Sequence, residues 1–492
     1  MNFANHVDVA ARNQPAAVAI SDSDSSLTFE RLAERSNRIA DALERGGVGV
    51  GDHVAIHIPN SVAFVCTYLG AMKRGAVPVP INTRFTDRQI QYILSDSNAI
   101  AVVTSSHHET PPETDDRALR HYTDLVDYGE PNYDVTPRRS SSMAELLYTS
   151  GTTGAPKGVY HTHGNLEANA NGFVAYNDWA RDDVALTVCQ CFHVTGLNVT
   201  TTPFLHLEAR NHLLAEWDVD AVLAAIERHD VTYTFLIPTM VVELLDHDGV
   251  EDYDISTLQA IGVGGSPMPR KRIDEAERTL GCTLLEGYGM TETTPLATLN
   301  LPTSEGRKAG SVGRPAEEAV EIRIEDLQTR DPVERGERGE ILWRGDTVTP
   351  RYNRAQLTEN KFVERQGKRW LTSGDIGWRD GDGFLFVVDR IEDMFTTGCG
   401  EIYPREIEEV IYEIDPVQKV AIIDTKDDVR GATVTAIVER RSEGTVSAAD
   451  IERTCHRELE SHEVPDRIEF VGDFPRTATG KIDRVSLREQ FE

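Results

Sequence analysis

The stretch "TFERLAERSNRIADALERGG" (28–47) carries apolar residues at helical spacing and stops on glycine, which predicts an amphipathic helix. The period then changes. "DHVAIHI" (52–58) reads as a strand, "SVAFVCTYLGAMKRG" (61–75) as a helix, and "AIAVVTS" (99–105) as a buried strand. "HHETPPETDDR" (107–117) is polar and predicts a surface loop. The alternation resumes over 181–300 in "DVALTVCQCF", "AVLAAIERHDV", "YTFLIP" and "LQAIGVGG". From about 310 to 389 the character shifts to short strands and turns, as in "EIRIED", "GEILWRGD" and "GFLFVVD", which predicts a β-rich subdomain. Further on, helical patterns in "PREIEEVIYEI" and "AADIERTCHREL" enclose the strands "KVAIIDT" and "ATVTAIVER". The expected fold is α/β. A large N-terminal domain over 1–389, made of two α/β subdomains plus a β-barrel-like subdomain, joins through 390–393 to a small α+β C-terminal domain over 394–492. The 492 residues suit about three lobes at roughly 150 residues each.

Composition adds a statement about the surface. The chain has 81 acidic against 50 basic residues, a formal charge of −31, and only nine of the basic residues are lysine. Acids spread over a surface keep it hydrated and keep molecules apart by a self-repulsion that salt screens, so adaptation to a salty cytoplasm is expected. Nucleic acid is not an expected partner, because its phosphates would meet like charge. The start "MNFANHVDVAARNQ" has no basic segment followed by an apolar one, so no signal peptide is expected. The apolar run "SVAFVCTYLGAM" stops at Lys73 and Arg74, short of the roughly 20 residues that span a bilayer. Six scattered cysteines suggest no zinc or disulfide framework. A cytoplasmic protein of unspecified oligomeric state is expected.

Candidate chemistry is concentrated in "YTSGTTGAPKG" (148–158). After a strand ending at Tyr148, Gly151, Gly154 and Gly158 let the backbone turn tightly and aim N–H groups at an anion. Ser150, Thr152 and Thr153 add hydroxyls, Lys157 adds a charge, and Pro156 stiffens the loop. The spacing is not the G-x-x-x-x-G-K-[ST] of a Walker loop, and "GVGGSP" (262–267) lacks the last glycine of a dinucleotide turn. Further motifs follow in order: "GAVPVPIN" (75–82), "CFHVTG" (191–196), "VGGSP" (263–267), "EGYGMTETTP" (286–295), "LTSGDIG" (371–377), "VDRIEDMFTTGCGEIYPREIE" (388–408) and "PRTATGKIDR" (475–484). With these motifs, spread over nearly its whole length, the chain resembles the adenylate-forming superfamily of acyl-CoA synthetases, luciferases and peptide-synthetase adenylation domains.

The resemblance implies a reaction in two halves. A carboxylate attacks the α-phosphate of ATP to give acyl-AMP and pyrophosphate, and a thiol, usually that of coenzyme A, then takes the acyl group. The first half brings anion onto anion, so fixed positive charge is needed where charge builds up. By resemblance, Thr149, Ser150, Gly151, Thr152, Thr153, Gly154 and Lys157 hold the phosphates, Thr149 and Glu292 hold Mg²⁺, and Thr291 contacts the α-phosphate. Gly265, Ser266 and Pro267 would line one side of adenine, and Glu286, Gly287, Tyr288 and Gly289 the other, with Tyr288 as the flat face. Asp375, read as a carboxylate in a glycine-flanked turn, would accept the ribose hydroxyls, with Arg390 as a second ribose or phosphate contact. Lys481, in a mobile small lobe, would bridge carboxylate and α-phosphate during adenylation.

Two positions depart from the family's pattern. Glu392 stands in the hinge where aspartate or lysine is usual. Where S-G-G-E-N is common, this chain reads "TGCGE": Gly398 keeps the first glycine, Cys399 takes the second, and Gly400 replaces the glutamate, so the loop's part in the thiol half stays open. Cys189, Cys191 and His193 alternate as on one face of a strand, which reads as inward packing beside the acyl site rather than a metal cluster. By resemblance His193 gates the acyl pocket, while His161 and His163 read as structural, flanking a helix that starts near Asn165.

The leading expectation is an ATP-, Mg²⁺- and CoA-dependent acyl-CoA ligase for a monocarboxylate. Pocket segments 192–203, 235–242 and 262–266 are apolar or small and offer no lysine or arginine for a second carboxylate. On that apolar character a medium- or long-chain fatty acid is favoured first and an aromatic acid second, while Gly262, Gly264 and Gly265 leave room rather than specify shape. An acyl-AMP ligase loading a separate carrier protein is the other enzymatic alternative. A non-catalytic nucleotide-binding protein would have no use for Lys481.

Overall fold

The computed structural model describes residues 1–105, 118–149, 156–266, 268–397, 400–427, 431–441, 445–476 and 482–491. The predicted polar loop 107–117, the loop residues 150–155, Pro267, Gly398 and Lys481 lie outside the described residues. The first predicted helix forms over Phe29–Arg45, where the Thr28 hydroxyl accepts the Arg31 N–H and caps it. Its buried face, which includes Phe29, Leu32, Ile39 and Leu43, joins one core with Phe64, Val65, Tyr68 and Met72 of the helix Val62–Lys73.

A nine-stranded sheet forms the backbone of the large domain. Its parallel centre runs from Thr283–Tyr288 through Ala260–Val263, Tyr233–Leu236, Val184–Thr187 and Arg210–Leu213 to Val18–Ser21. The strands Ala260–Val263, Tyr233–Leu236 and Val184–Thr187 are buried at every residue, as sheets covered on both faces require. A second parallel sheet orders Val77–Pro80, His53–His57, Ala101–Thr104 and Ala118–His121. The hairpin Met143–Thr149/Lys157–Thr162 shares a core with it through Leu146, Tyr148 and Tyr160.

The strand expected along "DVALTVCQCF" stops at Thr187. Asn60 is the reason: its side-chain amide donates to Cys189 O at 2.9 Å and its oxygen accepts the Cys191 N–H at 2.7 Å, replacing ladder partners with a turn. Gly196 then passes so close to the Cys189 carbonyl that any side chain would collide with it, and a π-helix, Thr195–Thr201, follows. Cys189, Cys191 and His193 therefore do not share a strand face. The Cys189 thiol donates to Phe235 O at 3.4 Å, while Cys191 sits 3.7 Å from the Thr201 hydroxyl.

Antiparallel strands Val320–Glu325, Gly339–Gly345, Phe362–Arg365, Lys368–Arg379 and Leu385–Arg390 form a five-stranded sheet. Asp375 lies inside the strand Lys368–Arg379, at a register shift beside Ile376, and not in a turn. The C-terminal part has a three-stranded sheet, Val417–Asp427, Gly431–Arg440 and Arg467–Val471, against helices Pro404–Tyr412 and Ala448–Glu458, with a core of its own around Ile407, Ile422, Val438 and Ile451. It touches the large domain at Arg405, whose backbone N–H donates to Asp389 and whose side chain donates to Val387 O, and at a two-pronged Arg338–Glu406 pair of 2.9 and 2.7 Å. Among the described residues, no helix is long and apolar enough to cross a membrane.

Candidate active site

The strand Thr283–Tyr288 delivers its C-terminal end to the short helical turn Thr291–Thr293, in the crevice position where open α/β sheets bind ligands. Thr291 and Glu292 are both buried. One Glu292 oxygen accepts the Tyr352 hydroxyl at 2.7 Å, and its carbonyl accepts the Thr349 N–H at 2.8 Å. Across the hairpin, Thr149 stands opposite Lys157, with its hydroxyl 3.5 Å from Lys157 O, so both residues border the loop 150–155.

Behind Thr291 runs a buried polar chain. The His161 Nε2–H donates to Thr291 O at 2.6 Å, and Nδ1 faces Glu145 Oε1 at 2.6 Å. Glu145 is completely buried. The same oxygen accepts Asn198 Nδ2 at 2.6 Å, and Oε2 accepts the Tyr68 hydroxyl at 2.6 Å. The helix Val62–Lys73, the hairpin and the π-helix thus meet on one carboxylate, and His161 links it to the turn Thr291–Thr293. His161, directly before the N-cap Thr162 of the helix His163–Asn177, thus also ties Glu145 to the Thr291 carbonyl. Glu145, Asn198, Tyr68 and Tyr352 carry no motif; a lone acid in the apolar strand "MAELLYT" was the available signal. His163 does flank the helix His163–Asn177, which Thr162 and Asn165 close as a capping box.

In the five-stranded sheet, strand register sets Asp375 opposite Arg390. The Tyr288 hydroxyl donates to one Asp375 oxygen, Arg390 Nε lies 3.4 Å from the other, and Arg390 also reaches Glu392 at 3.1 Å. Tyr288 leans on the buried Trp343 at 5.8 Å between ring centres. Gly287 and Gly289 flank Tyr288, and Gly265 and Ser266 are exposed beyond the strand Ala260–Val263. His193 is half-buried, with Nδ1 3.0 Å from the Thr195 hydroxyl.

Glu286 is different in kind. Burial pushes its carboxyl up to about 7, against the pull of Arg405, and Glu409 adds to the rise. Its charged neighbours therefore include two residues of the small lobe's helix Pro404–Tyr412. Between the ordinary value of 4.5 and about 7, the folded protein keeps a proton that the unfolded chain has released, so stability falls as pH rises through that window. Glu286→Gln is expected to melt like wild type near pH 4.5 and to gain up to about 3 kcal/mol over it at pH 8, at 1.36 kcal/mol per unit. Thermal melts at constant salt check this; a difference independent of pH would show a solvated carboxyl.

A family model described as AMP-binding enzyme matches residues 7–353, and one described as AMP-binding enzyme C-terminal domain matches 406–481. The chain is similar to a feruloyl-CoA synthase of an Amycolatopsis species, at 33% identity over 486 residues, 98% of this chain and 97% of that one. It is 32% identical to a long-chain-fatty-acid–CoA ligase of Mycobacterium tuberculosis over 95% of this chain and 94% of the other. Among solved structures, ATP-bound MatB from Rhodopseudomonas palustris superposes with a TM-score of 0.90 at 27% identity, covering 99% of both chains. The mixed α/β architecture, with a large N-terminal and a small C-terminal part, is the one these enzymes have. The chain belongs to the AMP-binding enzyme family and is one of its acyl- or aryl-CoA ligases.

Proposed function

We propose that this ligase activates an aromatic monocarboxylate, such as a hydroxycinnamate or an aryl-acetate, through an aryl-adenylate, and passes it to coenzyme A. One observation carries the choice of acid. Gly262 and Gly264 border the expected pocket, but the space they leave is already taken. A Cβ at Gly262 would collide with the Tyr233 hydroxyl and lie 2.9 Å from Phe235, and one at Gly264 would lie 2.9 Å from the Gly287 carbonyl and 3.2 Å from the Phe235 ring. Tyr233 is itself packed at 4.6 Å on Trp179, which packs at 4.6 Å on Phe204. Gly262 and Gly264 therefore admit the protein's own atoms rather than a long alkyl chain, while Gly265 stays open, with Ile237 at 3.7 Å. The Phe235 ring beside Gly262 and Gly264 offers an aromatic face against which a ring-bearing acid can pack. On this ground we rank an aromatic acid ahead of a medium- or long-chain fatty acid, and the feruloyl-CoA synthase relative supports that order.

In this reading the loop between Thr149 and Lys157 holds the β,γ-phosphates of ATP, Tyr288 faces adenine, and Asp375 accepts the ribose. Buried Glu292, with one oxygen held by Tyr352, is a hard oxygen donor of the kind Mg²⁺ takes, and Thr149 is its proposed companion. Bound there, the ion would neutralise phosphate charge. Thr291 donates to the α-phosphate while His161 holds its carbonyl in place. Lys481 draws the acid's carboxylate onto phosphorus, and the small lobe then turns about residues 390–393 to admit the thiol. ATP–pyrophosphate exchange in molar KCl with Mg²⁺, across acetate to palmitate, benzoates, hydroxycinnamates and aryl-acetates, tests both levels. The highest kcat/KM is expected for a ring-bearing acid. Decanoate or palmitate as the best substrate would overturn the aromatic reading, and silence across the panel would overturn the enzymatic one.

A further inference from the structure

Away from the nucleotide crevice, three donors converge where the N-terminal helix meets two others. His6 lies on the helix Asn5–Asn13, Glu167 on His163–Asn177, and His206 in the last turn of Thr202–Leu207. Their ligand atoms all lie within 4.8 Å of one another. His6 Nε2 is 2.8 Å from Glu167 Oε2 and 3.3 Å from His206 Nδ1. Ligands at 2.0–2.1 Å around a tetrahedral ion stand about 3.3 Å apart, so the two imidazole nitrogens already span one tetrahedral edge. We propose that His6, Glu167 and His206 bind one divalent ion of the zinc class, with a fourth position open to water.

The surroundings fit that role. His206 Nε2 donates to Asn171 Oδ1 at 2.9 Å, which fixes the tautomer and leaves the Nδ1 lone pair facing His6. Without metal, the His6 Nε2 proton bonds to Glu167. On binding, that proton moves to Nδ1 or to solvent and Nε2 turns its lone pair to the ion. Two imidazoles and one carboxylate form a borderline-soft set that favours Zn²⁺, Co²⁺ or Ni²⁺ over Mg²⁺. Glu167 keeps 38% side-chain exposure, which gives an ion access and room for water. The site would pin the N-terminal helix to the segment that continues directly from the π-helix Thr195–Thr201.

The test uses the full chain, stripped with EDTA, exchanged into chelator-free buffer at neutral pH, and titrated with ZnCl₂ by calorimetry and by equilibrium dialysis with metal analysis. Wild type is expected to take up about one zinc per chain and to melt several degrees higher with it. His206→Asn is expected to lose both effects, and His6→Asn serves if that variant misfolds. Asn171→Leu, which touches no metal, is expected to weaken zinc binding about 10- to 100-fold through loss of the orienting partner. Co²⁺ should show the intense visible bands of a four-coordinate ion. No uptake by wild type, or equal uptake by wild type and both histidine variants, would overturn the proposal.

Discussion

Lys481→Ala is expected to lower aryl-adenylate formation by about 10²- to 10³-fold while leaving thioester formation from supplied acyl-AMP unchanged. The asymmetry follows from charge. In the first half-reaction a carboxylate approaches a phosphate that is already anionic, inside a protein of net charge −31. A cation placed between them acts where repulsion is greatest. In the second half-reaction the leaving group is AMP, the bond to phosphorus exists already, and the thiol needs no bridge to the α-phosphate. ATP–pyrophosphate exchange reads the first half, and CoA-dependent consumption of synthetic acyl-AMP reads the second. Equal losses in both would refute the assigned role. Lys481→Arg is not expected to rescue fully, because a planar fork does not replace a compact point charge.

Replacing Glu145 with leucine is expected to destabilise the folded protein by about 3–5 kcal/mol, an effect larger than its distance from any ligand would suggest. Three buried groups, the Tyr68 hydroxyl, Asn198 Nδ2 and His161 Nδ1, converge on this carboxylate at 2.6 Å each. Removing the acceptor strands all of them in a site from which water is excluded, at about 1–3 kcal/mol for each unsatisfied group. Glu145→Gln keeps two acceptor lone pairs but turns two N–H donors toward other donors, so a smaller loss is expected. Urea melts at matched salt measure both. The network also ends on the carbonyl of Thr291, so the glutamine variant, still folded, should show a lower kcat with little change in KM for ATP. A loss of stability below about 1 kcal/mol in Glu145→Leu would mean that the network relaxes onto other partners.

Much of the site's inventory could be named from motif order alone. Tyr288, Asp375, Arg390 and Glu392 come from three separate motifs, and strand pairing between Lys368–Arg379 and Leu385–Arg390 brings them into one contact chain. The setting of one of them was misjudged. Glycine and serine around Asp375 look like a turn, but the segment is a strand with a bulge, where Gly374 takes φ +82° and Asp375 pairs with Arg390, which local composition does not report. Glycine misled in a second way. Gly262 and Gly264 signalled space, but not what fills it, because the occupants, Tyr233 and Phe235, come from the neighbouring strand.

What the sequence by itself determined is whatever repeats within a few residues: the helix Phe29–Arg45 with its Thr28 cap, the short buried strands of the parallel sheet, and the order of the motifs that assign the family. These depend on side-chain period and capping, which act over one or two turns of chain. Tertiary structure alone decided where the strand before Cys189 ends, since Asn60 reaches it from 129 residues away. It also decided that Glu145 and His161 support Thr291, 130 residues beyond His161, and that His6, Glu167 and His206 meet. A buried polar group must find its partner wherever the fold supplies one, and no local pattern records that choice.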